Sequence, residues 1–397
     1  MVMNFLIFQT YFNFWTTIFV LIFAGFCAYI FIAHKRSSKK LTLYYKSSCL
    51  NNYILKNSSN ITSVIYSPTF YLFNGHLQTL GAFVKRHKYP GDVNMKYSSE
   101  YIRLDDGGQI KLDWIFSFDL KWKEGDTIVG IVPGLTGGRK DPYTREIFDE
   151  GIKRNYKSVI INYRGGSGTE VTSPMFYSVV STRDLQAGID KIKQSHPRSP
   201  FFLFGVSAGA LLIANYLEEN HQDNFVKGCF LLCLPFDLQI SDFTLENTFF
   251  GFYHWVLGQN MSRLMKYHMN SLRGLEIKFG QKIEEGLKKV WTSRDFDNYF
   301  TCHAFNFTSA FDYYRKASCC NKIGNISVPT FILCADDDPI IPPMSYPIKE
   351  ILLNENIIFA THPCGGHVGF FTGIYLKQWY TFPMYDYFNG ILSFKKE

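Results

Sequence analysis

Ser207 is the residue of this sequence best placed to act as a nucleophile. It stands in Gly205-Val206-Ser207-Ala208-Gly209, directly after the apolar run Phe201 to Phe204 and directly before an Ala/Leu-rich segment. A Gly-x-Ser-x-Gly pattern between a strand and a helix holds the serine in a tight, strained turn with its hydroxyl at the edge of a sheet. Glycines two positions to either side let the neighbouring backbone pass without a Cβ clash. A serine hydroxyl is a poor nucleophile at neutral pH. It needs a general base within hydrogen-bond reach and a third group that orients the base. Such assistance is worth about 10²–10⁴-fold in rate.

Two later segments supply partners. Asp336-Asp337-Asp338-Pro339 follows the apolar run Pro329 to Ala335, and Gly365-Gly366-His367-Val368-Gly369-Phe370 follows Ile357 to Thr361. Flanking glycines suit a loop that swings an imidazole over a serine, which favours His367 over His362, closer to the strand. Asp338 precedes Pro339-Ile340-Ile341-Pro342, the setting expected of the orienting acid. Asp336 and Asp337 read as solvated or loop-capping neighbours, and Asp237 is a more distant alternative. His76, near a turn, reads as a hydrogen-bonded structural residue.

The oxyanion formed during attack on a carbonyl group needs backbone N–H donors. Ala208, the residue after the serine, supplies one. Leu135, in Pro133-Gly134-Leu135-Thr136-Gly137-Gly138, is placed to supply the other. That glycine-rich loop is not a phosphate cradle: a P-loop ends in Gly-Lys-Ser/Thr, and here the end is Gly138-Arg139-Lys140-Asp141. Gly165-Gly166-Ser167-Gly168 follows a middle strand and lacks dinucleotide spacing. No cofactor and no metal is expected.

The elements that must position these groups follow a β/α rhythm. Tyr101 to Leu104 and Ile110 to Phe116 read as a hairpin. Strands are expected at Thr127 to Val132, Ser158 to Tyr163, Val226 to Leu234 and the runs before Ser207, Asp336 and Gly365. Helices are expected at Tyr143 to Asn155, Ser181 to Ser195 (with Asp184 in its first turn) and Ala208 to Glu219. Such alternation implies a mostly parallel sheet covered on both faces, with the three candidate residues converging on one edge. Between about 239 and 320 the rhythm breaks into aromatic helical patches. This reads as an inserted lid, whose Phe249-Phe250, Phe252, Tyr253, Trp255 and Val256 either face a lipid tail or fill the lid's own core.

With 46% of residues hydrophobic and 19% charged, the chain can bury a large core. The formal charge of +7 is spread in short clusters rather than one long basic stripe, so nucleic acid is not an expected partner. The nine cysteines are odd in number and lack framework spacing. Neither Cys229/Cys233 nor Cys319/Cys320 has a second ligand pair for zinc, so they read as reduced structural thiols.

Residues 5–33 are almost wholly apolar and uncharged, long enough to span a bilayer. They lack the basic start and cleavage site of a signal peptide. They read as a retained transmembrane anchor, followed by a connecting arm over 34–99 and a catalytic domain over 100–397. Lys35-Arg36 and Lys39-Lys40 suit an anionic membrane surface and would keep the domain in the cytosol. The sequons at Asn57, Asn60, Asn260, Asn306 and Asn325 argue for the lumen, so orientation stays open.

Taken together, Asn74-Gly75-His76-Leu77-Gln78-Thr79, Pro133-Gly134-Leu135-Thr136-Gly137, Asn162-Tyr163-Arg164-Gly165, the Ser207 pentapeptide, Ala335-Asp336-Asp337-Asp338-Pro339 and the Gly365 to Phe370 loop resemble the YheT-like branch of the α/β-hydrolases. These are the abhydrolase-domain lipases and esterases. The stretch Asp106 to Trp114 resembles their membrane-anchored animal subgroup. The resemblance spans about residues 67 to 375. It implies an α/β-hydrolase fold with a helical lid, and a serine hydrolase acting through an acyl-enzyme on carboxylic esters of lipids such as monoacylglycerols or phospholipids. It implies Ser207, Asp338 and His367 as the triad. It also implies a single-pass membrane protein, expected in the endoplasmic reticulum or another internal membrane. Ala208 departs from the branch, where Met is frequent, but only its backbone N–H is needed. The alternative is a non-catalytic α/β-hydrolase that binds a lipid or hormone as a receptor.

Overall fold

The computed structural model describes residues 2–89, 95–116, 122–221 and 224–395, with the side chains of residues 2–13 lying outside the described part. Nine strands form one sheet: β1 (Thr42–Tyr45), β2 (Lys96–Arg103), β3 (Gln109–Phe116), β4 (Thr127–Val132), β5 (Tyr156–Asn162), β6 (Phe201–Val206), β7 (Val226–Leu232), β8 (Thr330–Ala335) and β9 (Ile357–His362). Their order is β1-β9-β8-β7-β6-β4-β5-β3-β2. The six strands β4 to β9 run parallel, with β2, β3 and β1 antiparallel at the two edges. The central strands are buried at every position and mostly apolar, the pattern of a sheet covered on both faces.

The helices in chain order begin with α1 (Val2–Ser37), α2 (Cys49–Asn57), α3 (Ser59–Thr62), α4 (Gly75–Lys88), α5 (Pro142–Ile152), α6 (Arg183–Ser195) and α7 (Ala208–Glu219). Leu185, Ile189 and Ile192 of α6 and Leu211 to Leu217 of α7 fill one face of the sheet. Ile54 and Leu55 of α2, Ile147 and Phe148 of α5, and the closing helix Thr381–Ser393 fill the other. Phe204, Phe230 and Phe331 stack ring on ring across β6, β7 and β8, and Phe202 stacks on Phe388 at 4.5 Å. Much of the aromatic surplus is therefore core.

The stretch expected as a connecting arm is packed into the same body. β1 pairs with β9 from Thr42↔Thr361 to Tyr45↔Ile358, and α4 carries the Asn74–Thr79 motif to the catalytic edge. A four-residue strand pairing more than 300 positions away leaves no local signature. The β2–β3 hairpin likewise begins earlier than expected, at Lys96.

The insertion opens with α8 (Leu238–Asn247) and α9 (Phe252–Tyr267) and continues in short helices to Ala310–Ala317. It has its own small core of Met265, Leu272, Phe279, Ile283, Phe296 and Phe300. All nine cysteines are free thiols. In α1, Phe14–Ser37 is long and apolar enough to cross a membrane, and none of its most apolar window is buried against the body.

Candidate active site

β6 ends at Val206 and α7 begins at Ala208, so Ser207 alone makes the turn. Its backbone sits at φ 53°, ψ −118°, a strained region for a non-glycine residue. The turn is over-determined: Ser207 N–H donates to Leu232 O at 2.9 Å, and Ser207 O accepts from Leu211 N–H at 3.0 Å. A Cβ on Gly209 would overlap the carbonyl oxygens of Val132 and Pro133. Only glycine lets α7 approach the loop that follows β4.

His367 Nε2 lies 2.8 Å from Ser207 Oγ, and His367 Nδ1 lies 2.8 Å from Asp338 Oδ2. Asp338 is buried. Its other oxygen, Oδ1, accepts from the Ile340 and Ile341 N–H groups at 2.8 and 3.1 Å. The residues expected at three separate strand ends are thus brought into one hydrogen-bonded line. Asp336 is exposed, 3.5 Å from Thr361 Oγ1. Asp237 caps α8 by accepting from Gln239 and Ile240 N–H. His362 is buried beside Tyr66, and desolvation pushes its pKa down to about 4, so it stays neutral and away from Ser207. His76 is held by Tyr253 OH at 2.9 Å, tying α4 to the lid.

The His367 loop is fastened by residues whose part only the fold reveals. Asp337 Oδ1 accepts from both Gly365 and Gly366 N–H at 2.9 Å. Thr79 Oγ1 accepts from His367 N–H at 2.8 Å and donates to Gly75 O at 2.7 Å. Gln78 Oε1 accepts from Phe371 N–H at 3.0 Å. A Cβ on Gly75 would overlap the Asp337 carbonyl, so glycine there lets α4 dock on the acid loop. Cys233, Asp338 and His367 offer ligand atoms within 4.8 Å of one another. However, both Asp338 oxygens are engaged, burial pushes the Cys233 thiol up, and its sulfur accepts from Val368 N–H at 3.3 Å. The trio reads as scaffold for His367.

Burial also pushes the Asp337 carboxyl up, to about 6, against the pull of its two N–H donors. A carboxyl whose pKa is raised by folding stabilises the fold most below its unfolded pKa, and that contribution is lost as pH rises through the folded pKa. Stability from this group therefore falls between about pH 4 and pH 6. Asn at this position keeps an acceptor for both N–H groups without the buried charge. Asp337→Asn is expected to gain stability relative to wild type across that window, by at most about 3 kcal/mol at pH 7. Activity should stay within a few-fold. Denaturant unfolding of both proteins at pH 4, 5, 6 and 7 checks this, and a difference that does not grow with pH refutes it.

The loop after β4 is rigidly held. Tyr163 OH donates to Gly134 O at 3.3 Å and Arg86 Nη2 to Thr136 O at 2.7 Å. Asp141, paired with Arg86 at 3.0 Å, accepts from Gly138 N–H at 2.6 Å. Leu135 lines the cavity beside Ser207, and so does Ala208 at the first position of α7. The first N–H groups of a helix have no partner within it and point at what lies before it.

Two cavities meet at Ser207, Leu135, Leu257 and His367. The first runs under the lid and is lined mainly by apolar side chains, among them Leu211, Leu238, Leu245, Leu264 and Met265. The second opens between α4 and α9, past Leu80, Phe83, Phe252 and Val256. Of the lid residues singled out in the sequence, Phe252, Tyr253 and Val256 face this second cavity, while Phe249 and Phe250 are exposed.

A family model described as the alpha/beta hydrolase fold matches residues 127–374. The chain is 29% identical over 353 residues to the monoacylglycerol lipase of Saccharomyces cerevisiae, covering 79% of this chain and 78% of that protein. It is 27% identical over 355 residues to human phospholipase ABHD3, covering 88% and 84%. It is 30% identical over 311 residues to the embryogenesis-associated protein EMB8 of Picea glauca, covering 76% and 66%.

Proposed function

Since the chain belongs to the alpha/beta hydrolase fold family, we propose that it is a serine hydrolase of carboxylic esters in lipids, with monoacylglycerols or phospholipids as substrates and α1 as its membrane anchor. The observation that carries this reading is the line from Ser207 Oγ through His367 to Asp338, with 2.8 Å at each link. Two relatives named monoacylglycerol lipase and phospholipase support the lipid substrate. So does the apolar cavity under the lid, which offers an acyl chain about 0.8 kcal/mol per buried CH₂. A receptor with no chemistry to perform would gain nothing from holding Ser207 in strained backbone. The membrane proposed is the endoplasmic reticulum or another internal membrane.

In this reading Ser207 Oγ attacks the ester carbonyl while its proton passes to His367 Nε2. Asp338 stabilises the imidazolium and fixes its orientation. The N–H groups of Leu135 and Ala208 receive the oxyanion. The tetrahedral intermediate collapses, the C–O bond to the alcohol breaks, and His367 returns the proton to that leaving alcohol. A water molecule then gives its proton to His367 and attacks the acyl-enzyme. The fatty acid leaves and Ser207 is restored. The full-length protein, incubated with monoacylglycerols and phosphatidylcholines of graded chain length, is expected to release fatty acid. Mass spectrometry of quenched reactions is expected to find an acyl group on Ser207. A folded protein that releases no fatty acid from any of these lipids, or acylation at another residue, overturns the reading.

A further inference from the structure

α1 parts from the body at a definite place. Lys39 and Tyr66 exchange backbone hydrogen bonds, His34 lies 3.3 Å from Ser67 Oγ, and the Tyr29 and Phe73 rings meet edge-on at 5.5 Å. Beyond that contact the apolar helix is uncovered back to Phe14. The surface around Phe73 is apolar as well. Phe70 and Tyr71 are exposed in the loop before it, and Tyr71 OH donates to Ile374 O in the turn between β10 (Phe371–Thr372) and β11 (Lys377–Gln378). Ile374 and Tyr375 form the bare tip of that turn. On the other side of Phe73, His76 in the first turn of α4 packs on Phe249 at 5.6 Å, which places the lid tip beside the same loop.

Phe250 at that tip is fully exposed, and both Phe249 and Phe250 sit in left-handed backbone, at φ 49° and 54°. Bulky residues rarely adopt that conformation, and burial does not reward Phe250 for it, since its side chain is fully exposed. Exposed apolar patches with a polar rim mark interaction surfaces. Here His87 packs on Phe83 at 4.3 Å, and Lys35 and Arg36 close the apolar helix. The patch is continuous with a helix of the same chain long enough to span a bilayer, which identifies its occupant. The second cavity opens at its edge, between the half-exposed rings of Phe83 and Phe252, and leads to Ser207.

We propose that this face seats on the bilayer that α1 enters, and that the second cavity is the portal by which a lipid ester passes from that bilayer to Ser207. The inference rests on the reading of α1 as a membrane anchor. Its test uses the full-length protein in phosphatidylcholine vesicles containing an alkyne-tagged phosphatidylcholine. Benzoylphenylalanine replacing Phe250 is expected to cross-link the tagged lipid on irradiation. The same group replacing Tyr101, exposed on β2 at the far edge of the sheet, is not. The double variant Phe250→Ser/Tyr375→Ser touches neither cavity. It is expected to hydrolyse water-soluble p-nitrophenyl butyrate within twofold of wild type, yet to lose about tenfold in hydrolysis of monoacylglycerol held in the vesicles. Flotation of the wild type separates the two readings. A protein that does not float with vesicles overturns the anchor, and this inference falls with it. A protein that floats without a cross-link at position 250, or a double variant with undiminished vesicle hydrolysis, overturns the inference alone.

Discussion

Replacing Ser207 with alanine is expected to lower kcat for ester hydrolysis by about 10⁵-fold or more, the scale seen when a triad nucleophile is removed. The substitution deletes one oxygen. It leaves the backbone bonds to Leu232 O and from Leu211 N–H in place, and alanine keeps the Cβ that serine already carries in the strained turn. Thermal stability should therefore move by little, so that lost turnover reports lost chemistry rather than lost fold. A fluorophosphonate probe, which reacts with an activated serine hydroxyl, is expected to label the wild type and not the variant. Residual hydrolysis should come only from substrate binding and the backbone donors of Leu135 and Ala208. Retained turnover together with retained labelling would show that another nucleophile does the work.

Ser207, Asp338 and His367 were legible because each sits at the end of an apolar strand run, and a parallel sheet gathers such ends on one edge. Their order along the chain needed no tertiary knowledge. What fastens the His367 loop was not legible. Thr79 reaches His367 across 288 positions and β1 pairs with β9 across more than 300, and nothing local in either segment encodes the partner. Asp337 was half legible: a loop-capping carboxylate was an expected role, but not that it would bind the two glycine N–H groups that set the histidine loop. The aromatic surplus was ambiguous in principle. A phenylalanine that stacks across strands, as Phe230 does, and one left bare, as Phe250 is, have the same composition and differ only in what the fold brings against them.

The backbone around Asp338 dictates the outcome of Asp338→Asn more sharply than the loss of a charge would. Oδ1 is committed to the Ile340 and Ile341 N–H groups, so the carboxamide oxygen must take that place, because an NH₂ there would face two donors. The NH₂ then occupies the position of Oδ2, 2.8 Å from His367 Nδ1, and can only donate to it. His367 is thereby held with its proton on Nε2, the nitrogen that faces Ser207 Oγ at 2.8 Å. That tautomer cannot accept the serine proton. The fold is expected to survive, since both backbone bonds are kept, while kcat falls by about 10⁴-fold. The rate of fluorophosphonate labelling should fall in parallel. Asp336→Asn, at the exposed neighbour, is expected to stay within a few-fold of wild type. Stopped-flow acylation measured for the two variants side by side tests the assignment: if Asp338→Asn acylates within tenfold of wild type, the orienting acid lies elsewhere, and a comparable fall in Asp336→Asn would name it.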